Sequence, residues 1–135
     1  MKKSRKAYTL VELLVAIAIA TIVIAATAAT LAFVIQSTAK AEESASMNFK
    51  ARTIRDYILS DGVIDSINTS EEFVYDEEKN EVFDTRRDKT VVREALYTEV
   101  IFAEEDDFIV CTIKYKPYKK STEMETISFV VKQIE

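Results

Sequence analysis

No glycine or proline occurs from Met1 through Asp61, and inside that stretch the run from Leu10 to Ile35 is apolar, with Glu12 its only charged residue. A segment so long and so free of breakers has one regular solution, an α-helix. At about 1.5 Å per residue, Leu10 to Ile35 extends roughly 39 Å, past the roughly 30 Å hydrocarbon core of a bilayer. The segment is therefore expected to span a membrane once.

The flanks set its direction. Lys2, Lys3, Arg5 and Lys6 precede the run, and Lys40, Glu42 and Glu43 follow it. The excess of cations before the helix places the N-terminus in the cytoplasm and the remaining chain outside. A secretory signal carries its small-residue cleavage site after the apolar stretch, whereas here Ala7 stands before it. An A-x-A spacing at Ala26 and Ala28 offers an ordinary secretory cut, but the apolar run continues through Leu31 to Ile35 and argues against it.

Glu12 is what a plain anchor does not explain. A carboxylate within a membrane helix costs about 2.5 to 3.5 kcal/mol at mid-depth on insertion scales, less near the interface, and marks a pairing role. One reading keeps it hydrated at the cytoplasmic face. The other requires a cation, and the rest of the segment contains no Lys or Arg.

Ala7 followed by YTLVELLVAIAIA resembles the class III signal of type IV pilins and of the pseudopilins of secretion and DNA-uptake machines. The resemblance is strong over Lys2 to Ile35 and architectural beyond it. It implies that a prepilin peptidase cuts after Ala7 and methylates the new amine of Tyr8. Glu12, then the fifth residue of the mature chain, matches the family's glutamate. In the family that side chain neutralises the N-terminal amine of a neighbouring subunit during assembly, and its presence favours a subunit within a shaft. The implied partners are the peptidase, other pilin or pseudopilin subunits and an inner-membrane assembly platform. The implied location is the cytoplasmic membrane, then an extracellular or periplasmic filament.

Ala16 and Ala20, Ala25 and Ala29, and Ala28 and Ala32, with Thr21 among them, recur at four-residue spacing. Such ladders let helices approach closely in an apolar medium, although alanine also suits any helix by propensity. Further on, Met47, Ala51, Ile54 and Ile58 repeat at steps of four, three and four, with Phe49 and Tyr57 alongside, which predicts one apolar helix face. Gly62, the only glycine, is the expected C-terminal cap. The predicted organisation is a leader over 1–7, a helix over 8–61 whose membrane half covers about 10–35, and an exported β domain over 62–135.

Ala95 to Ala103, Phe108 to Lys116 and Glu125 to Ile134 are rich in β-branched and aromatic residues and predict an antiparallel meander. Along the middle run Ile109, Cys111, Ile113 and Tyr115 should face the helix stripe. Phe73 to Tyr75 and Glu81 to Phe83 predict a weaker hairpin around Asp76 to Asn80. The expected fold class is α+β, a long N-terminal helix packed on a C-terminal antiparallel sheet, the pilin layout.

Without histidine, with one glycine and with Cys111 as the lone cysteine, the chain carries no familiar catalytic or metal-binding constellation and no cofactor motif, and it reads as no enzyme. Cys111 has no partner for a disulfide and reads as a buried thiol. The resemblance departs here from pilins that close a C-terminal loop with two cysteines, and again in lacking Gly or Pro breakers in the membrane half.

Removing the leader cations takes the formal charge from -5 to -9, so the exported part shows no general affinity for nucleic acid. Two charged clusters remain. Glu104, Glu105, Asp106 and Asp107 read as a solvated turn rather than a calcium loop. Lys114, Lys116, Lys119 and Lys120, interleaved with Tyr115 and Tyr118, are the candidate contacts for an anionic ligand such as DNA, weighed against a charged turn that keeps the sheet soluble. The competing function is a membrane-anchored surface binding module that does not polymerise.

Overall fold

The computed structural model describes residues 2–60, 62–67 and 73–135, with side chains from Thr9 onward. The chain divides into two compact units, 1–39 and 40–135. Helix α1 (Lys2–Ile58) supplies the whole of the described first unit and the opening of the second.

In the first unit every described residue from Thr9 to Ala39 is exposed. An 18-residue window of this helix has a mean hydropathy of 2.6, so it is long and apolar enough to cross a membrane. Its threonines do not break that character. Thr21 Oγ1 donates to the Ala18 carbonyl at 2.7 Å, Thr27 Oγ1 to those of Val23 and Ile24, both at 2.9 Å, and Thr30 Oγ1 to that of Ala26 at 2.9 Å. Each hydroxyl is satisfied within its own helix, so none needs water.

In the second unit α1 continues to Ile58, followed by a 3-10 turn at Ile64–Ser66 and six strands among the described residues. Strands β1 (Phe73–Asp76), β2 (Glu81–Asp84) and β3 (Lys89–Val92) form one antiparallel sheet in that order. Strands β4 (Thr98–Glu105), β5 (Phe108–Tyr115) and β6 (Glu125–Gln133) form the other. The expected α+β layout is what the structure shows, with a helix followed by antiparallel sheet. The division into two sheets was not expected: the hairpin gains β3 and becomes a sheet of its own.

The helix stripe is the core. Met47, Ala51, Ile54 and Ile58 are buried, together with Ile109, Cys111, Ile113 and Tyr115 from the apolar face of β5. Phe73 joins the two sheets, stacking at 5.7 Å between ring centroids on Phe102 of β4 and meeting Tyr57 edge-on at 6.2 Å. Phe49 does not belong to this face. It is 72 % exposed, because its position is set by helical spacing opposite Met47 and Ala51, and its expected place beside the stripe is corrected accordingly.

The helix also ends earlier than the glycine suggested. The last helical bonds run from the amides of Leu59 and Ser60 to the carbonyls of Arg55 and Tyr57. Gly62 instead occupies a turn closed by Val63 N to Ser60 O at 3.1 Å, with φ at +78°. The positive φ that favours glycine is present, used one turn later than a helix cap.

Candidate functional site

In the leader and helix, Ala7 and Tyr8 lie in the backbone of α1, and their side chains are outside the described residues. Glu12 sits on the exposed surface of the first unit, four residues after Tyr8 and so about one helical turn from it. It is the only charged residue from Tyr8 to Ala39. With the threonine hydroxyls turned onto their own helix, Glu12 is the one group of that surface whose charge calls for something outside the chain.

The four lysines are placed in two groups. Lys114 lies on the outward side of β5, paired across the sheet with Glu99 of β4 and Thr126 of β6. Lys116 follows the strand, its amide donating to the Tyr97 carbonyl at 2.9 Å. Lys119 belongs to the turn against α1, where its amide donates to Glu43 Oε2 at 3.0 Å. Its side chain shares a pocket with Glu42, Glu43, Lys50 and Glu94, and Lys120 is exposed beside it. Carboxylates therefore alternate with the cations, and this surface is mixed in sign.

Among the acidic residues, Glu104 and Glu105 end β4, and Asp106 and Asp107 make the two-residue turn into β5, with Asp106 at φ +53°. Aspartate adopts that left-handed conformation more readily than most residues, which accounts for its presence at a tight hairpin.

Sequence reasoning missed a buried polar lock. Asp84 is 0 % exposed at the end of β2. Its Oδ2 accepts from the Tyr57 hydroxyl at 2.9 Å, its Oδ1 accepts from the Arg86 amide at 3.0 Å, and Arg86 Nε lies 3.5 Å from Oδ1. The same guanidinium donates to Ser66 Oγ at 2.7 Å and covers the Phe73 ring. A second tyrosine does equivalent work at the other sheet: Tyr115 OH donates to Glu125 Oε2 at 2.8 Å and accepts from Asn48 Nδ2 at 3.0 Å. Burial, with the neighbouring carboxylate second, raises both phenols above their ordinary pKa. These residues hold the helix against the sheets. The signal that would have found Asp84 is its alternation with Val82, which puts it on the inward face.

Cys111 is wholly buried, and burial pushes its thiol up to about 12. It behaves as a core residue rather than a nucleophile.

No curated protein and no solved structure matches the chain. The apolar helix fits a membrane-anchored protein, and an N-terminal motif match implies processing by a prepilin peptidase and assembly with pilin subunits, which points to a structural role. Residues 2–28, the stretch holding the basic head, Ala7, Tyr8 and Glu12, match the prokaryotic N-terminal methylation motif, and the chain thus carries the class III prepilin signal of type IV pilin-like proteins.

Proposed function

We propose that this chain is a structural subunit, pilin, minor pilin or pseudopilin, of a type IV pilus-like filament. It is made with its N-terminus in the cytoplasm, cut after Ala7, methylated at Tyr8, and drawn from the cytoplasmic membrane through an assembly platform into an extracellular or periplasmic fibre. The observation that carries this reading is Glu12: a lone carboxylate on an otherwise uncharged, exposed helix surface, one turn from the amine that cleavage would create.

The physical reason is charge pairing in a water-poor bundle. An amine and a carboxylate each suffer desolvation alone, and pairing between neighbours relieves both, so an incoming subunit is favoured at the site where its Glu12 meets an amine. Removing Glu12 should leave membrane insertion intact, since an apolar helix inserts at least as well without a carboxylate.

The test is intact mass and N-terminal mapping of the protein from its native membrane, with and without a prepilin peptidase, followed by fibre isolation from Glu12→Ala cells. A peptidase-dependent chain beginning at methylated Tyr8, with fibres lost in Glu12→Ala, is the expected result. An uncut N-terminus at Met1 or Lys2 would point to the membrane-anchored binding module. Normal fibres from Glu12→Ala would remove the pairing mechanism. Replacing Lys114, Lys116, Lys119 and Lys120 together with alanine and measuring DNA retention at several salt concentrations tests the anionic-ligand contact. Phosphate contacts made by these lysines predict both weaker retention and a shallower salt dependence in the variant.

A further inference from the structure

Phe49 is the most exposed large apolar side chain among the described residues, above every residue of the apolar segment Leu10 to Ile35. It stands on the solvent face of α1, on the second unit, where a membrane supplies no reason for it. Arg52 lies one turn on along the same face and is also exposed. An aromatic ring of this kind removes about 150–250 Å² from water when it finds a pocket, which makes it the natural anchor of an interface.

A matching pocket lies on the outward side of the β1-β2-β3 sheet. Val74, 51 % exposed, and Phe83 are neighbours across β1 and β2 and form an apolar floor. Asp76, Lys79, Glu81 and Thr85 surround it, enclosing a groove of about 230 Å³. Two carboxylates against one ammonium leave the rim net negative, complementary to Arg52. Phe49, being exposed, does not fill the groove of its own chain.

We propose that Phe49 of one copy of this chain seats in the Val74–Phe83 groove of a second copy, with Arg52 pairing to Asp76 and Glu81 at the rim. Knob and groove are different surfaces, so the contact repeats head-to-tail from copy to copy, as a filament needs, unless two copies exchange knobs reciprocally; a double variant whose cross-linking stops at a dimer would overturn the repeating contact. The proposal rests on the filament reading and assigns that filament a contact between its exported units, independent of Glu12.

The experiment is disulfide trapping of the full chain in its native membrane. Ala45→Cys, one turn before Phe49, and Lys79→Cys, on the groove rim, leave the ring and the groove floor intact; they are placed singly and together, and oxidised with copper-phenanthroline. Both positions are exposed, and the native Cys111 is too buried to compete. The double variant should give a ladder of multimers on non-reducing gels, the two single variants mixed should give a dimer, and neither single variant alone should cross-link. Arg52→Glu should lower the ladder yield about tenfold through like-charge contact with the rim, and combining it with Asp76→Lys and Glu81→Lys should restore it. No ladder while fibres still form would overturn this contact and leave the filament reading standing. No ladder and no assembly of the wild-type chain would overturn both. A ladder without fibres would uphold the contact and remove the filament. A ladder indifferent to Arg52→Glu would overturn the pairing at the rim.

Discussion

The Tyr57 hydroxyl donates to Oδ2 of Asp84 at 2.9 Å, joining the last turn of α1 to the inward face of β2. Because Asp84 also receives the Arg86 amide and faces its guanidinium, three donors converge on one fully buried carboxylate.

Removing the acceptor should therefore cost more than removing one donor. Asp84→Ala takes the acceptor from the Tyr57 phenol and the facing carboxylate from the largely buried Arg86 guanidinium, and is expected to lower stability by about 3 kcal/mol or more. Tyr57→Phe leaves Asp84 with its Arg86 contacts and should cost about 1.5 kcal/mol. Urea unfolding of the full chain in detergent, followed by circular dichroism, measures both; equal losses would mean that Arg86 contributes nothing.

The phenols predict an alkaline limit. Tyr57, Tyr75 and Tyr115 all titrate above the ordinary value of 10.0, chiefly through burial, with carboxylates adding to the effect. A folded-state pKa raised above the unfolded one gives stability that is complete below pH 10.0 and is lost as the pH rises through the folded values. Tyrosinate absorbance against pH should show a delayed fraction that ionises together with unfolding, and Tyr57→Phe with Tyr115→Phe should reduce that fraction.

Two substitutions on α1 contrast its faces. Ile54→Ala opens the buried stripe and should destabilise by about 2–5 kcal/mol. Phe49→Ala, on the exposed face, should change stability by no more than about 0.5 kcal/mol. Thermal unfolding of the two variants side by side reads the difference.

Gly62 gives a purely conformational test. A Cβ there would lie 3.6 Å from an Arg87 side-chain nitrogen, an ordinary contact, so space is not limiting. The φ of +78° is what a side chain resists, and Gly62→Ala should cost about 1 kcal/mol. Gly62→Asn, which tolerates this region better, should cost less in the same urea assay.

Cys111 should resist a maleimide in the folded protein at neutral pH and react once urea exposes it, since both its burial and its raised pKa suppress the thiolate. Mass spectrometry before and after unfolding checks this.

How far the fold was legible follows from which signals are local. The stripe from Met47 to Ile58 and the alternation of β5 are periodic, and periodicity survives into structure because it decides which side chains meet the core. Strand β3 was missed although Thr90, Val91 and Val92 are β-branched: four residues after a charged run are too few to show alternation, and it is the pairing with β2 that defines the strand. Phe49 was misassigned because apolar character was counted without its angular position. Asp84 was passed over although its alternation with Val82 points it inward, because a buried aspartate makes sense only with its donors, which come from α1 and from beyond β2. Of the candidate site, Glu12 was legible for the opposite reason, being a charge where the surrounding residues supply none.

The threonines of the first unit carry one more consequence. Since Thr21, Thr27 and Thr30 bond to carbonyls of their own helix, the segment from Leu13 to Ile35 asks nothing polar of whatever surrounds it. Acyl chains and the flanks of identical helices are then equivalent solvents for it. Passage from one to the other breaks no hydrogen bond along the segment, and leaves Glu12 as the single side chain by which the helix can tell that its surroundings have changed.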